Sequence, residues 1–205
     1  MSEFADAMQF RHACKRFNDQ KIPEKTFEQI LEFGRMSPSS FGMEPWRFLV
    51  IKDTALREAL RPVCWDQPQI TECSHLVVVT ADNESIRPGT DYVKRMFGRR
   101  GLPEEGLLRY LERYESHMAP QFHSREAVEA WTHKQCYIAA ANMMTGAASL
   151  MIDSCPIEGF EKDEVEAVLR LEPAYSVAVI LAFGYRLNAQ PEHLRLPLRE
   201  VVAYR

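Results

Sequence analysis

The sequence predicts an α+β fold, a small mixed β-sheet flanked by helices with one long helix at its centre. Three observations carry this. Short apolar runs of strand type occur at Trp46–Ile51 and at residues 75–80 and 175–183, and the last two are continuous enough for strands buried on both faces. Long stretches of helical pattern separate these few runs. Finally, nothing in residues 127–152 breaks a helix except Gly146, and after Gln135 large apolar residues (Tyr137, Ile138, Met143, Met144, Leu150) fall on every side. A helix that is apolar all round is buried. Its many small residues, among them Ala139, Ala140, Gly146 and Ala147, let a second backbone approach to roughly 8 Å between axes. That backbone belongs either to the same chain or to a second copy.

The elements follow in order. Residues 4–12 read as a short helix with Phe4, Ala7 and Met8 along one side. Arg11, His12, Lys15 and Arg16 come next, a basic run that could hold a phosphate or form a solvated charged face. Pro23 suits a helix start, and Phe27, Ile30, Leu31 and Gly34 continue at i, i+3, i+4, i+7, the amphipathic spacing. Residues 37–45 carry two prolines, a glycine and three serines, turn chemistry with free backbone donors and hydroxyls, hence a candidate binding loop. Asp53 caps a helix that Pro62 should end after Arg61. Residues 65–69 form a polar connector. Residues 84–123 form a polar excursion with one or two helices, the region least tied to the core. The long helix cannot pass Pro156, and Gly159 in the following loop lets a flat ligand approach the backbone. Residues 162–171 give a short acidic helix, and residues 198–204 a last strand or an arm.

Bulk properties bound the function. A chain of 205 residues suits one domain, residues 1–205, with a proper core. Charged residues at 26% and hydrophobic ones at 46% fit a soluble protein. A net charge of −4 with scattered basic residues leaves no nucleic-acid footprint. Gln135, Asn142, Thr145 and Ser149 in the apolar tract argue against a membrane span. Five cysteines without a C-x-x-C pair and no apolar leader point to a reducing cytoplasm. The six histidines lack metal-ligand spacing, so no metal is expected.

Three loops share a property: the basic run, residues 38–42 and residues 156–159 each lie at a helix boundary with backbone donors available. Together with Pro45-Trp46 and Gly184-Tyr185-Arg186, the strings Arg11-His12-x-x-Lys15-x-Phe17, Ser37-Pro38-Ser39-Ser40 and Pro156-Ile157-Glu158-Gly159-Phe160 resemble the FMN-dependent nitroreductase family, in order and spacing over nearly the whole chain. The resemblance implies a homodimer with its long central helix buried at the interface and FMN touched by both chains. It places Arg11 and His12 on the phosphate and ribityl chain, with Ala13 beside them. Lys15 falls at the pyrimidine edge, and Pro38, Ser39, Ser40 and Gly42 lie on the segment given by the second subunit. Asp66 and Gln69 fall at the connector, and Pro156, Ile157, Glu158 and Gly159 at the backbone facing flavin N5 and O4. His193 and Arg195 form a basic pair on the phosphate. Lys15 and Glu158 are the candidates for flavin tuning, since a cation where charge develops stabilises the reduced ring. The chain departs from the family's usual residues at Ala13 and Cys14 (Ser or Thr), Gly42 and Asp66 (Asn) and His193 (Lys).

The implied activity is an NAD(P)H-dependent oxidoreductase passing a hydride through FMN to a small-molecule acceptor such as a nitroaromatic or quinone. The same fold also hosts narrower chemistry, such as flavin reduction, dehalogenation or flavin cleavage. A cofactor-free helical interaction protein is the reading from another class. Yellow colour on purification excludes that one, and an acceptor panel separates the first two.

Overall fold

The computed structural model describes residues 2–205. Four strands, β1 (Trp46–Ile51), β2 (His75–Asp82), β3 (Asp153–Ile157) and β4 (Tyr175–Gly184), form one sheet in the order β1-β2-β4-β3. Every strand pair is antiparallel, so the sheet is not mixed as expected; the parallel contact is a single bridge from Ala13 to Ser154. The sequence shows at Pro156 only the end of a helix and a following loop, yet residues Asp153–Ile157 form a strand. It is an edge strand, where proline's missing N–H can face away from the ladder, and Pro156 pairs with Leu181. A register shift after Val79 leaves Ala178 as an extra residue on β4.

Side chains alternate along β2 and so serve two layers. Val77 and Val79 face α2 (Glu24–Arg35) and α7 (Arg125–Ser149), packing with Phe27, Ile30, Ala139, Met143 and Phe183. Leu76 and Val78 face α3 (Thr54–Val63), α4 (Gln69–Glu72) and α8 (Lys162–Leu169), packing with Leu60, Ile70, Cys155 and Val165. Each fully buried aliphatic side chain contributes about 1.5–3 kcal/mol. The helix pair α2–α7 is drawn tight by glycine: a Cβ on Gly146 would sit 2.0 Å from Phe33 Cδ2, and one on Gly34 2.7 Å from Met143 Cγ.

Three further expectations change. α3 continues through Pro62; so near a helix end, the lost N–H removes one bond while Leu60 and Cys64 stay fully buried. Residues 198–201 form a short helix, α9, in an exposed arm rather than a strand. The excursion holds two helices, α5 (Asp91–Gly98) and α6 (Glu104–Met118). It is not loosely attached: Ile86, Val93, Phe97, Tyr114, Met118 and Phe122 close a core of their own with Met43 and Val128.

Within the single chain α7 is not covered all round. Lys134, Tyr137, Ile138, Ala141, Asn142 and Ser149 are exposed at helical spacing, one continuous open face. α1 (Glu3–Phe10) lies along the same helix, with Phe4 and Met8 exposed.

Candidate functional site

After α1 the chain runs as a strap across the ends of β3 and β4. Cys14 N donates to Ser154 O (3.0 Å), Phe17 bridges to Arg186, and the Phe17 ring lies where a Cβ on Gly184 would be, 2.7 Å from Cδ1. This lays His12 over Asp153, Nδ1 to Oδ1 at 3.7 Å, both buried. Arg186 clamps the same carboxylate: its backbone N and Nε donate to Asp153 Oδ2 (2.8 and 3.1 Å), and Nη2 lies 2.7 Å from Oδ1. The Arg186 guanidinium also covers the Phe10 ring at 4.2 Å.

The clamp extends to His193. Gln190 Oε1 accepts from Arg186 Nη1 (2.9 Å), so the amide NH2 faces the other way. It donates to Gln9 O (2.8 Å) and meets His193 Nε2 (2.7 Å), which must accept. Arg195 stands exposed and, among the described residues, is bonded only to Leu194 O. Between the strap and Asn188–Pro191 opens a cavity of about 230 Å³.

On the other side of the strap, Lys15 Nζ reaches Cys155 Sγ (3.6 Å), which Gln69 Nε2 also approaches (3.8 Å). Gln69 donates to Gln67 Oε1 (3.1 Å), and Gln67 Nε2 to Gly159 O (2.8 Å). Strap, connector and the 156–159 loop thus converge. The connector is kinked by two consecutive left-handed residues, Trp65 (φ 56°) and Asp66 (φ 52°). Trp65 lies against Gly159 and donates to Glu161 Oε1 (2.9 Å). Ile157 is buried beneath, and the exposed Glu158 accepts from Tyr137 Oη. Asp66 is exposed and forms no ion pair among the described residues; of the two roles open to it, pairing with a basic residue or facing a ribityl hydroxyl, the first is not found.

Electrostatics divide the site. Burial lowers the His12 pKa, helped by Arg186 and opposed by Asp153. Burial and the Asp153 charge push the Cys14 thiol up to about 11. Burial also raises Cys155, with Lys15 opposing. Burial and Glu158 raise the Tyr137 phenol. Arg16 is paired with Glu72 (2.9 Å), while Arg11, Lys15 and Arg195 have no ion-pair partner among the described residues. Among the described residues His12 Nδ1 and Ser154 Oγ are buried without a hydrogen bond.

Residues 38–42 stand apart. Ser40 N donates to Gln135 Oε1 (2.9 Å), Asn142 Nδ2 to Ser37 Oγ (2.8 Å), and Glu44 N to Ser39 Oγ (2.8 Å). The segment carrying Pro38, Ser39, Ser40 and Gly42 is therefore tied to α7 through Ser37 and Ser40, not to the strap, within one chain. Of the sequence-selected residues, His12, Ala13, Lys15, Gln69, Pro156, Ile157, Glu158, Gly159 and His193 come together. Sequence reasoning passed over Trp65, Gln67, Tyr137, Asp153, Cys155 and Gln190. Asp153 left a faint signal, an acid closing a long apolar tract.

Residues 8–185 match the family model described as the Nitroreductase family. The chain belongs to the nitroreductase family. A Bacillus subtilis relative, provisionally named NAD(P)H nitroreductase YfkO, is 37% identical over 215 aligned positions covering 99% of this chain and 97% of that one. A Staphylococcus epidermidis protein of the same provisional naming is 40% identical, covering 92% and 89%. Among solved structures, a nitroreductase-like protein of Streptococcus mutans superposes with a TM-score of 0.88 at 20% identity, covering 98% of both chains. A provisionally named nitroreductase of Exiguobacterium sibiricum, solved in complex with FMN, gives 0.84 at 24% identity, covering 100% and 98%. The nitroreductase fold expected from the three loops is therefore present. Among the described residues no helix is long and apolar enough to cross a membrane.

Proposed function

We propose that residues 1–205 act as one FMN-binding unit of a homodimeric NAD(P)H oxidoreductase, reducing an oxidised small molecule such as a nitroaromatic or quinone. The observation that carries this is the convergence of the strap, the connector and the 156–159 loop around unpaired cations. An anionic phosphate suits that environment: Arg11 and Arg195 have no ion-pair partner among the described residues, His193 keeps its Nδ1–H clear of Gln190, and the buried His12 Nδ1 and Ser154 Oγ have no hydrogen bond among those residues. Names of the relatives, which cite NAD(P)H, and the FMN complex of a fold neighbour support the same reading.

FMN, when bound, supplies two-electron transfer between donor and acceptor. The chain's own residues bind and orient. Lys15 offers a fixed positive charge where negative charge gathers on the ring. Gln67 holds the 156–159 loop to the connector, Gln69 and Lys15 meet at Cys155, and Tyr137 holds Glu158. Arg186 fixes Gln190 and, through it, His193, which presents its Nδ1–H. The second copy is inferred from the open face of α7 and from an arm whose Leu194, Leu196, Leu198, Val201 and Tyr204 are exposed. It would place the 38–42 segment of one copy at the site of the other. Interfaces that never dissociate bury roughly 2,000–5,000 Å². All five cysteines are free and buried, which supports a reducing, cytoplasmic setting.

Anaerobic rapid mixing with NADH or NADPH tests the proposal: visible flavin absorption should bleach, then return on adding a nitroaromatic. A colourless protein that takes up no FMN refutes it. Sedimentation tests the dimer, and a flavin-retaining monomer at micromolar concentration refutes that part.

A further inference from the structure

Residues 41–44 have an unusual backbone. Phe41 (φ 57°), Gly42 (φ 70°) and Glu44 (φ 45°) are all left-handed, a conformation that non-glycine residues keep only when their surroundings hold it. What holds it comes from the excursion. Arg100 Nη2 donates to Phe41 O (3.1 Å). Arg99 Nη2 donates to Gly42 O (3.1 Å) and to Glu44 Oε1 (2.9 Å). Tyr92 Oη is shared between Met43 O (2.8 Å) and Glu44 O (3.1 Å). Four successive carbonyls are thus captured by three side chains on α5 or at its C-terminal end. The Phe41 ring is gripped as well, edge-on to Tyr114 at 5.1 Å and Phe97 at 6.5 Å, and Arg100 is itself stacked over Tyr110 at 4.7 Å.

The captured turn is wired to the serines before it. Gly42 N donates to Ser39 O (2.9 Å) and Met43 N to Ser40 O (3.2 Å), and Glu44 N donates to Ser39 Oγ (2.8 Å). That last bond makes the Ser39 oxygen an acceptor, leaving its O–H to point elsewhere. If residues 41–44 relax, Ser39 and Ser40 move with them.

We propose that Tyr92, Arg99 and Arg100 are positioning residues that latch the 38–44 segment, so that the 84–123 excursion sets the geometry of the cofactor and acceptor site. This rests on the function proposed above, which puts Ser39 and Ser40 at that site. The latch acts chiefly through backbone carbonyls, so it depends on donors at fixed places, with the Glu44 carboxylate and the Phe41 ring as side-chain supports.

The test uses the full-length purified protein, with Tyr92→Phe and the double variant Arg99→Ala/Arg100→Ala. Lys94→Ala is the control, since Lys94 lies on the same helix but, among the described residues, pairs only with Asp91. Hydrogen exchange of the flavin-free protein should quicken at residues 39–44 in both latch variants and not in the control. FMN titration should give a dissociation constant raised roughly tenfold, about 1.4 kcal/mol. With para-nitrobenzoate as acceptor, KM should rise while kcat stays within about twofold, the signature of weakened binding with the chemical step intact. Arg99→Lys in an otherwise native chain should keep most of the affinity, because a cation still reaches Gly42 O. Unchanged exchange at residues 39–44 overturns the latch. Faster exchange with unaltered FMN affinity and KM overturns its link to the site. Tyr92→Phe removes one hydroxyl only and keeps the test valid if the double variant fails to fold. Wild type that takes up no FMN refutes the proposed function; wild type and variants that bind FMN equally refute the inference alone.

Discussion

Gly159 gives the sharpest quantitative test of the site. A Cβ built there would lie 2.5 Å from Trp65 Cε3, 2.8 Å from Cζ3 and 3.0 Å from Gln67 Nε2, against an ordinary carbon contact of about 3.5–4.0 Å. Gly159→Ala must therefore displace the indole by roughly 1 Å to reach that ordinary contact. Trp65 is 64% exposed, so it can swing away, and the cost is what it gives up. That is its hydrogen bond to Glu161 (2.9 Å), about 0.5–1.5 kcal/mol, and its packing on the loop. With some crowding of Gln67, the expected loss is about 1–3 kcal/mol. In a Trp65→Ala background Gln67 is the next nearest obstacle, and the same substitution should cost about 0.5 kcal/mol, which makes the coupling about 0.5–2.5 kcal/mol. Urea unfolding followed by circular dichroism, on the two single variants and the double, measures it. A coupling below about 0.3 kcal/mol, within additivity error, would show that Trp65 does not rest on Gly159. The cycle also qualifies any FMN loss in Gly159→Val, since the larger side chain strikes Trp65 before it can be said to strike a flavin.

Asp153→Asn removes the charge that faces Arg186, leaving a largely buried guanidinium uncompensated; unfolding should show a loss of about 3–5 kcal/mol, and a loss below about 1 kcal/mol would contradict the clamp. Acid should destabilise the fold in a histidine-dependent window. His12, His75 and His133 are all lowered from 6.5, chiefly by burial, so below about pH 6.5 the unfolded chain binds more protons than the folded one and stability falls as pH drops. A urea midpoint that is flat or rising from about pH 7.5 to about pH 5.5 would contradict this sign. Asp66 is exposed, so Asp66→Asn should move the flavin midpoint by less than about 60 mV, roughly 2.8 kcal/mol for two electrons. A larger rise, measured by dye-coupled reduction, would put its charge on the ring.

The parts legible in the sequence are those with a local signature. β1, β2 and β4 announce themselves as apolar runs, and the three loops as turn chemistry at helix ends. β3 was hidden because a proline is tolerated only on an edge, and strand order is not written locally. The Asp153–Arg186 clamp joins two elements distant in sequence, and no periodicity reports a buried ion pair. Tyr137 read as core because its neighbours on α7 are apolar; its hydroxyl acquires meaning only where Glu158 comes to meet it. The excursion read as loose because charges dilute its apolar positions, while two members of its core, Met43 and Val128, come from other parts of the chain.

That separate core has a consequence for how such a protein can diverge. Val93, Phe97, Tyr114 and Met118 pack chiefly on one another and not on the sheet. Drift inside residues 84–123 is then judged by this small cluster and leaves the layers around β2 and β4 untouched. Helices α5 and α6 can lengthen, tilt or trade residues while the strap and its clamp stay where they are. A lineage can vary this region without first disturbing the layers that hold the sheet together.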